Sequence, residues 1–423
     1  MGRHQLEVWL DKVFDFSHRV QALPDGRDFA RIPAKTIFDA VFLGSACQCG
    51  PLHRIEAECR EGVLRSRIGA LSKDAMGYGL ERQDPAAIFD LGCAIARQLK
   101  RNGVLASTWS RGLVVAAIDG IEICSSYVRC CPDCMERKVE HKVEGELRKD
   151  IQYYHRLCLL TIVSSSFPIP LGIRFQKNGE TEVACSLALL QQLVERLGRR
   201  FLDVLVADAI YLQTPCVSAL QALGLSWVIT LKENQPDLLA EAQRVTAAQA
   251  PYPAAADQSD ELQLWYAPHL DWPVADRDIH VVKTLRRHPR NRQRVQRDST
   301  EPKRIVKATV IEQSTNFYAS NLELGSIPPL FLSQLGRSRW QIDADVFQTI
   351  TTDSSLKQPS LHQGYEKALL VLTMIRVLAF TLTQVFYHRQ VRSHFRKSGF
   401  GFRDLARRIG YQFLVTSLTF NST

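Results

Sequence analysis

The chain has 423 residues, of which 45% are hydrophobic and 23% charged, and a formal net charge of +9. That length gives room for two or three domains, each with its own core, in a globular chain of ordinary composition. No run approaches the ~20 consecutive apolar residues of a membrane span. The opening MGRHQLEVWLDKVFDF has charges among its apolar positions and no small-residue cleavage site, so no secretory signal is apparent and a cytoplasmic protein with no membrane partner is expected.

Residues 1–108 read as helical. In AAIFDLGCAIARQLKRNG, Ile88, Leu91, Ile95 and Leu99 share one face, and the basic residues and Gly of RNG end the helix. TIFDAVFLGSACQ predicts another helix. From Arg111 strands and helices alternate: a strand over Leu113–Ile118, a tight turn at Asp119-Gly120, and a second strand over Ile121–Val128. HRLCLLTIVSSS and PLGIRFQ predict two more strands, and TEVACSLALLQQLVERLG an amphipathic helix. Then follow a strand over Leu202–Ala207, a helix from Thr214 with Pro215 at its first position, and the strand SWVITLK. This pattern implies a mixed sheet with helices packed on it, an α/β class. Near Ala247 the rhythm breaks for roughly 80 residues, with strand candidates IHVVKTL, IVKATVIE and NFYAS, which argues for an inserted β-rich subdomain. Helix returns with FLSQLGRSRWQIDADVFQTI and a long, buried YEKALLVLTMIRVLAFTLTQVFYHRQ. The expected division is 1–108 helical, 109–247 first part of the α/β core, 248–326 basic insertion, and 327–423 second part of the core.

Charge is concentrated within the insertion. From Lys283 to Lys307 stand ten basic residues (Lys283, Arg286, Arg287, Arg290, Arg292, Arg294, Arg297, Lys303, Arg304 and Lys307), opposed only by Asp298 and Glu301, so this segment carries +8 of the net charge. Such a concentration suits a polyanion, although a basic run alone also suits a solvated loop.

Two acids stand where apolar runs stop, Asp119 in LVVAAIDGIE and Asp208 in LDVLVADAIY. If their strands are neighbours, both carboxylates face one cleft at the sheet's ligand-bearing edge. Paired carboxylates repel unless a cation neutralises them, and hard oxygen donors favour Mg2+ or Mn2+, which supports phosphodiester chemistry once a third acid completes the pocket. Taken singly, each Asp also fits a turn or a helix cap.

Eleven cysteines, an odd count, do not suggest a disulfide framework. CCPDC places Cys130, Cys131 and Cys134 at zinc-knuckle spacing, while the group of Cys47, Cys49, His53 and Cys59 lies some 80 residues away. With no second knuckle at matching distance, reduced and unliganded thiols are expected. His155 in YYHR reads as a packing residue, and Trp340 and Phe347 as core.

The sequence resembles the DDE transposases of bacterial insertion sequences, specifically the insertion sequence 4 group, over about residues 35–390. The resemblance rests on AIDGIE, ERKVE with QYYHRLCLLTIV, VADAIY with Tyr211, LGLSWVITLKENQPDLL ending its strand at Lys232, and RSRWQIDADVF. It implies an RNase H-like mixed sheet flanked by helices, interrupted by a mainly β insertion and preceded by an N-terminal helical domain. It further implies that Asp119 and Asp208 are metal ligands, with the third acid at Asp343, where the family has Glu. Asp is one methylene shorter, withdrawing its oxygens by ~1.5 Å from a position that catalysis holds within about 0.5 Å. Asp345 is the alternative, about 200° around an α-helix from Asp343.

Arg339, at i−4 from Asp343, matches the family's phosphate-contacting Arg. The family's Tyr falls on Gly336 and its Lys on Ile350 or Thr351. Lys232, Arg286, Arg287, Arg290, Arg292, Arg294 and Arg339 are the expected DNA contacts. Metal-dependent cleavage at element ends and strand transfer of the 3′-hydroxyl are the implied reaction. Terminal inverted repeats and target DNA are the implied partners, bound by a homodimer in a bacterial cytoplasm, nucleoid-associated when on DNA. The departures at Asp343, Gly336 and Ile350/Thr351 leave open a decayed, transposase-derived DNA-binding protein. An RNase H-like nuclease unrelated to transposition fits the acids but not the insertion.

Overall fold

The computed structural model describes residues 5–143, 146–252, 261–273, 278–296, 304–322, 325, 328–353, 356–357 and 366–420. Its chain divides into two units, Met1–Leu202 with Trp340–Thr423, and Asp203–Arg339. The fold is mixed α/β with a helical N-terminal region.

In the first unit, apolar residues at helical spacing form Gln5–Phe14, Ala34–Ala46, Leu52–Arg60, Lys73–Glu81 and Pro85–Arg101. The last begins where the Asp84 carboxylate accepts the Ala86 N–H and Pro85 occupies the first turn. Helix Glu366–Gln390 packs against Ala34–Ala46, Lys73–Glu81 and Pro85–Arg101. By length and composition its segment Lys367–Gln390 suffices to cross a membrane, which corrects the expectation from the sequence, but 83% of its apolar window is buried inside the protein. Its Arg376, 3% exposed, donates to the Gly50 carbonyl at 3.0 Å, so the one cation in this apolar stretch has an oxygen partner.

Four strands accompany these helices: β1 (Val115–Ser126), β2 (Met135–Val143), β3 (Glu146–Ile162) and β4 (Ile169–Phe175). β3 is the hub. β1 runs antiparallel along one edge, while β2 and β4 share the other, β2 beside residues 146–154 and β4 beside 157–162. The turn expected at Asp119-Gly120 does not exist, because β1 continues through both residues. Glycine serves close approach instead, since a Cβ on Gly120 would lie 2.6 Å from the Glu182 carboxylate of helix Glu182–Leu197.

In the second unit, β5 (Val204–Ala207) runs parallel to β6 (Ser226–Leu231). β6 pairs antiparallel with β9 (Arg304–Ser320), β9 with β8 (Ile279–Gln296), and β8 with β7 (Glu261–Leu270). IVKATVIE and NFYAS, read as separate strands, are one strand. Among the described residues, β7 pairs with β8 as far as Arg287, and residues 288–296 pair with 304–312 as a two-stranded ribbon. Pro289 lies in that ribbon opposite Ile311. Helix Pro329–Ser338 packs on β6, β7, β8 and β9. Beyond it, Ile342–Phe347 is π-helical and Gln348–Asp353 returns to α.

Candidate active site and a thiol–imidazole cluster

Asp208 follows β5 directly. Its Oδ1 accepts the Ala209 N–H at 2.7 Å, capping the short 3-10 turn Ala209–Tyr211, and lies 3.4 Å from Lys232 Nζ at the end of β6. Burial pushes this carboxyl upward, but the Ala209 N–H and the charges of Arg339 and Lys232 outweigh it and hold the group below the usual carboxylate range. Arg339 is 7% exposed and ends helix Pro329–Ser338. The segment after Lys232 braces the turn. Asn234 donates to the carbonyls of Ala209 at 2.8 Å and Leu212 at 3.4 Å, and Gln235 donates to Leu212 at 2.8 Å. Neither side chain was singled out in the sequence, where the polar ENQ after a strand was the available signal.

Gly336 explains a departure from the resembled motif. A Cβ there would collide with the Tyr318 ring from β9. Tyr318 is buried, which pushes its hydroxyl pKa up, while Arg337, Arg286 and Arg339 draw it back down. A tyrosine and the arginines therefore meet beside this helix, with the ring supplied by a strand.

In the first unit, Asp119 lies within β1 opposite Leu159, half-buried, and accepts the Gly120 N–H at 2.8 Å. β1 also packs against the π-helical turn Ile342–Phe347 that carries Asp343. Asp343 is half-buried, whereas Asp345 is exposed and borders a cleft with Ser166, Gln348, Gln384, His388 and Arg403. The π-helix shifts hydrogen bonding to i→i+5, so the α-helical i−4 relation expected for Arg339 and Asp343 does not describe this segment. Trp340 is 57% exposed, not core, whereas Phe347 is buried. Ile350 is buried and the Thr351 hydroxyl donates to the Phe347 carbonyl, so neither replaces the missing Lys.

On β8, Arg286 is half-buried and Arg287 and Arg290 exposed, with Arg290 3.1 Å from Glu312. Arg286 pairs with Ser314 and Arg290 with Val310; positions 292 and 294 continue this alternate register opposite Ala308 and Val306. The side chains of Arg292 and Arg294, like residues 297–303 with Asp298 and Glu301, lie outside the described residues.

The cysteine expectation changes membership. Cys130 is exposed and apart, while Cys131 Sγ lies 3.6 Å from Cys134 Sγ and each sulfur 3.3 Å from His155 Nε2. Among the described residues, this is the one group offering three His, Cys, Asp or Glu ligand atoms within 4.8 Å of one another. The pairing of β1, β2 and β3 brings it together, since His155 sits on β3 opposite Ile123.

No curated protein matches the chain. Comparison with protein families matches residues 153–342, a span that takes in Asp208, Lys232 and Arg339, begins after Asp119 and stops one residue before Asp343. The family matched over those residues is the transposase DDE domain.

Proposed function

We propose that the protein is a DNA transposase of the insertion sequence 4 group, with an RNase H-like core whose three acids are Asp119, Asp208 and Asp343. The observation that carries this reading is the environment of Asp208 inside the matched domain: a carboxylate at a strand end, held ionised by a backbone N–H and flanked by Lys232 and Arg339. An ionised carboxylate only accepts, and such hard oxygen donors suit Mg2+ or Mn2+. Asp119 and Asp343 offer the same chemistry from β1 and from the turn packed on it, and the half-burial of Asp343 supports it over Asp345. A divalent cation, when bound, supplies charge that acidifies a water or 3′-hydroxyl and offsets the developing phosphate charge. The protein's own contribution is to hold the carboxylates, place Arg339 and Lys232 against a phosphate, and engage the duplex with the basic face of the β8–β9 ribbon. Terminal repeats and target DNA are the substrates, joined by a homodimer.

The test is Mg2+-dependent nicking of linear DNA bearing the element's ends. Wild type nicks it, and Asp119→Asn loses nicking while keeping DNA binding. A second reading, a DNA-binding protein derived from a decayed transposase, is favoured by the shorter acid at 343 and by Ile350 and Thr351 where a cation is expected. Wild-type chain that binds end DNA and never cuts it with Mg2+ or Mn2+ establishes that second reading.

A further inference from the structure

We propose that Cys131, Cys134 and His155 form a binding site for one zinc ion, with two thiolate sulfurs and the imidazole Nε2 as its protein donors. This site stands apart from the acids and does not rest on the transposase reading. Its geometry matches a metal triangle. Zinc with Zn–S of about 2.3 Å and Zn–N of about 2.0–2.1 Å at tetrahedral angles sets its sulfurs about 3.8 Å apart and each sulfur about 3.5 Å from the nitrogen. The three atoms here stand at 3.6, 3.3 and 3.3 Å.

Hydrogen bonding alone accounts poorly for the arrangement. A neutral imidazole nitrogen has either one in-plane lone pair or one proton, so Nε2 serves one thiol well and not two. A cation at the centre of the triangle satisfies all three atoms. Two thiolates and an imidazole are soft to borderline donors, which favours zinc over Mg2+.

The backbone supports the same assignment. The Cys134 N–H donates to the Cys131 carbonyl at 3.1 Å, closing the C-x-x-C turn, and the Cys131 N–H donates to Cys134 Sγ at 3.3 Å, which fixes the second sulfur. His155 is 4% exposed, and its ring is packed 5.6 Å from that of Phe175 on β4. Pro132 and Asp133 are exposed, so the turn that carries the two sulfurs faces solvent. Bound zinc fastens the connection between β1 and β2 to β3, bracing the strand that carries Asp119.

The test uses the full chain purified without chelator from zinc-replete culture, with metal content measured by elemental mass spectrometry. About one zinc per chain is expected in wild type, and near-complete loss in Cys131→Ser/Cys134→Ser and in His155→Ala. Because these variants can fail to fold, wild type is also stripped under native conditions and titrated with Co2+. A thiolate-to-cobalt charge-transfer band saturating at about one equivalent supports the site. Wild type that carries no zinc and gives no cobalt band overturns it, as does zinc content unchanged in the variants, or a Cys131–Cys134 disulfide in the chain as purified. Asp119→Asn keeps its zinc whether or not it nicks DNA, so failure here and failure of the transposase reading are read separately.

Discussion

Asp208 and His155 stand at the centres of two polar clusters with opposite donor chemistry. Around Asp208 a loop does the positioning: the acid leaves β5, caps its own turn, and is braced by Asn234 and Gln235 and flanked by Lys232. Around His155 strand pairing does it, because β3 holds the ring and the turn after β1 brings both sulfurs to one nitrogen. The first cluster leaves a charged carboxylate accessible beside cations, as phosphate chemistry needs. The second is largely buried and offers soft to borderline sulfur and nitrogen donors. Soft and hard donors in one chain are thereby kept for different ions.

The largest expected effect that separates the clusters is on cleavage. Arg339→Ala with Lys232→Ala removes the cations beside Asp208, and end cleavage should fall on the order of 10²–10³-fold in a single-turnover nicking assay, with zinc content unchanged. A fall in both would break the claimed independence of the clusters.

Next comes packing beside Arg339. Gly336→Ala drives a methyl into the Tyr318 ring, and thermal unfolding should report a loss of ~1–3 kcal/mol. Adding Tyr318→Leu should recover part of it. An unshifted melting temperature for Gly336→Ala would mean the ring moves aside freely.

Strand β8 should give a smaller, sequence-independent effect. Arg286→Ala and Arg290→Ala should weaken binding to all duplexes alike and reduce the slope of log affinity against log salt by ~1 for each phosphate left without its arginine. Weakening confined to element ends would assign these residues to base readout instead.

The smallest effect is electrostatic. Asp208 has a lowered folded pKa, so the stability it contributes is present above its unfolded value, about 3.9, and is lost as pH falls through the folded one. Lys232→Ala raises that folded pKa towards the unfolded one, so Asp208 contributes less stability at neutral pH, and its acid-side loss in urea titrations should be smaller and complete at higher pH than in wild type. Solvent screening of the partly exposed pair keeps the shift modest.

Some of this architecture was legible in the residues alone. The run ending at Ala207 announced a buried strand with an acid beyond it, and the amphipathic TEVACSLALLQQLVERLG announced helix Glu182–Leu197, which the structure caps with the Thr181 hydroxyl accepting the Ala184 N–H. The Asp119-Gly120 pair misled because Gly has two uses, turning a chain and letting another group come close, and only the position of Glu182 distinguishes them. β2 went unnoticed because MERKVEHKV lacks the apolar alternation that a half-buried strand displays. The π-helical turn at Asp343 has no residue signature, and it lies between exposed Trp340 and buried Phe347, whose seven-residue spacing had suggested one shared face. His155 joined the cysteines through strand register, which spacing along the chain does not encode.

Cleavage of end-bearing DNA by wild type, Asp119→Asn, Asp208→Asn and Asp343→Asn in parallel tests the proposal that these three acids serve one cation-dependent reaction. Mg2+-dependent cutting by wild type and none by any of the three variants is expected, all four chains binding the DNA alike. Cutting by Asp343→Asn at the wild-type rate, or wild-type cutting that persists in excess chelator, would contradict it.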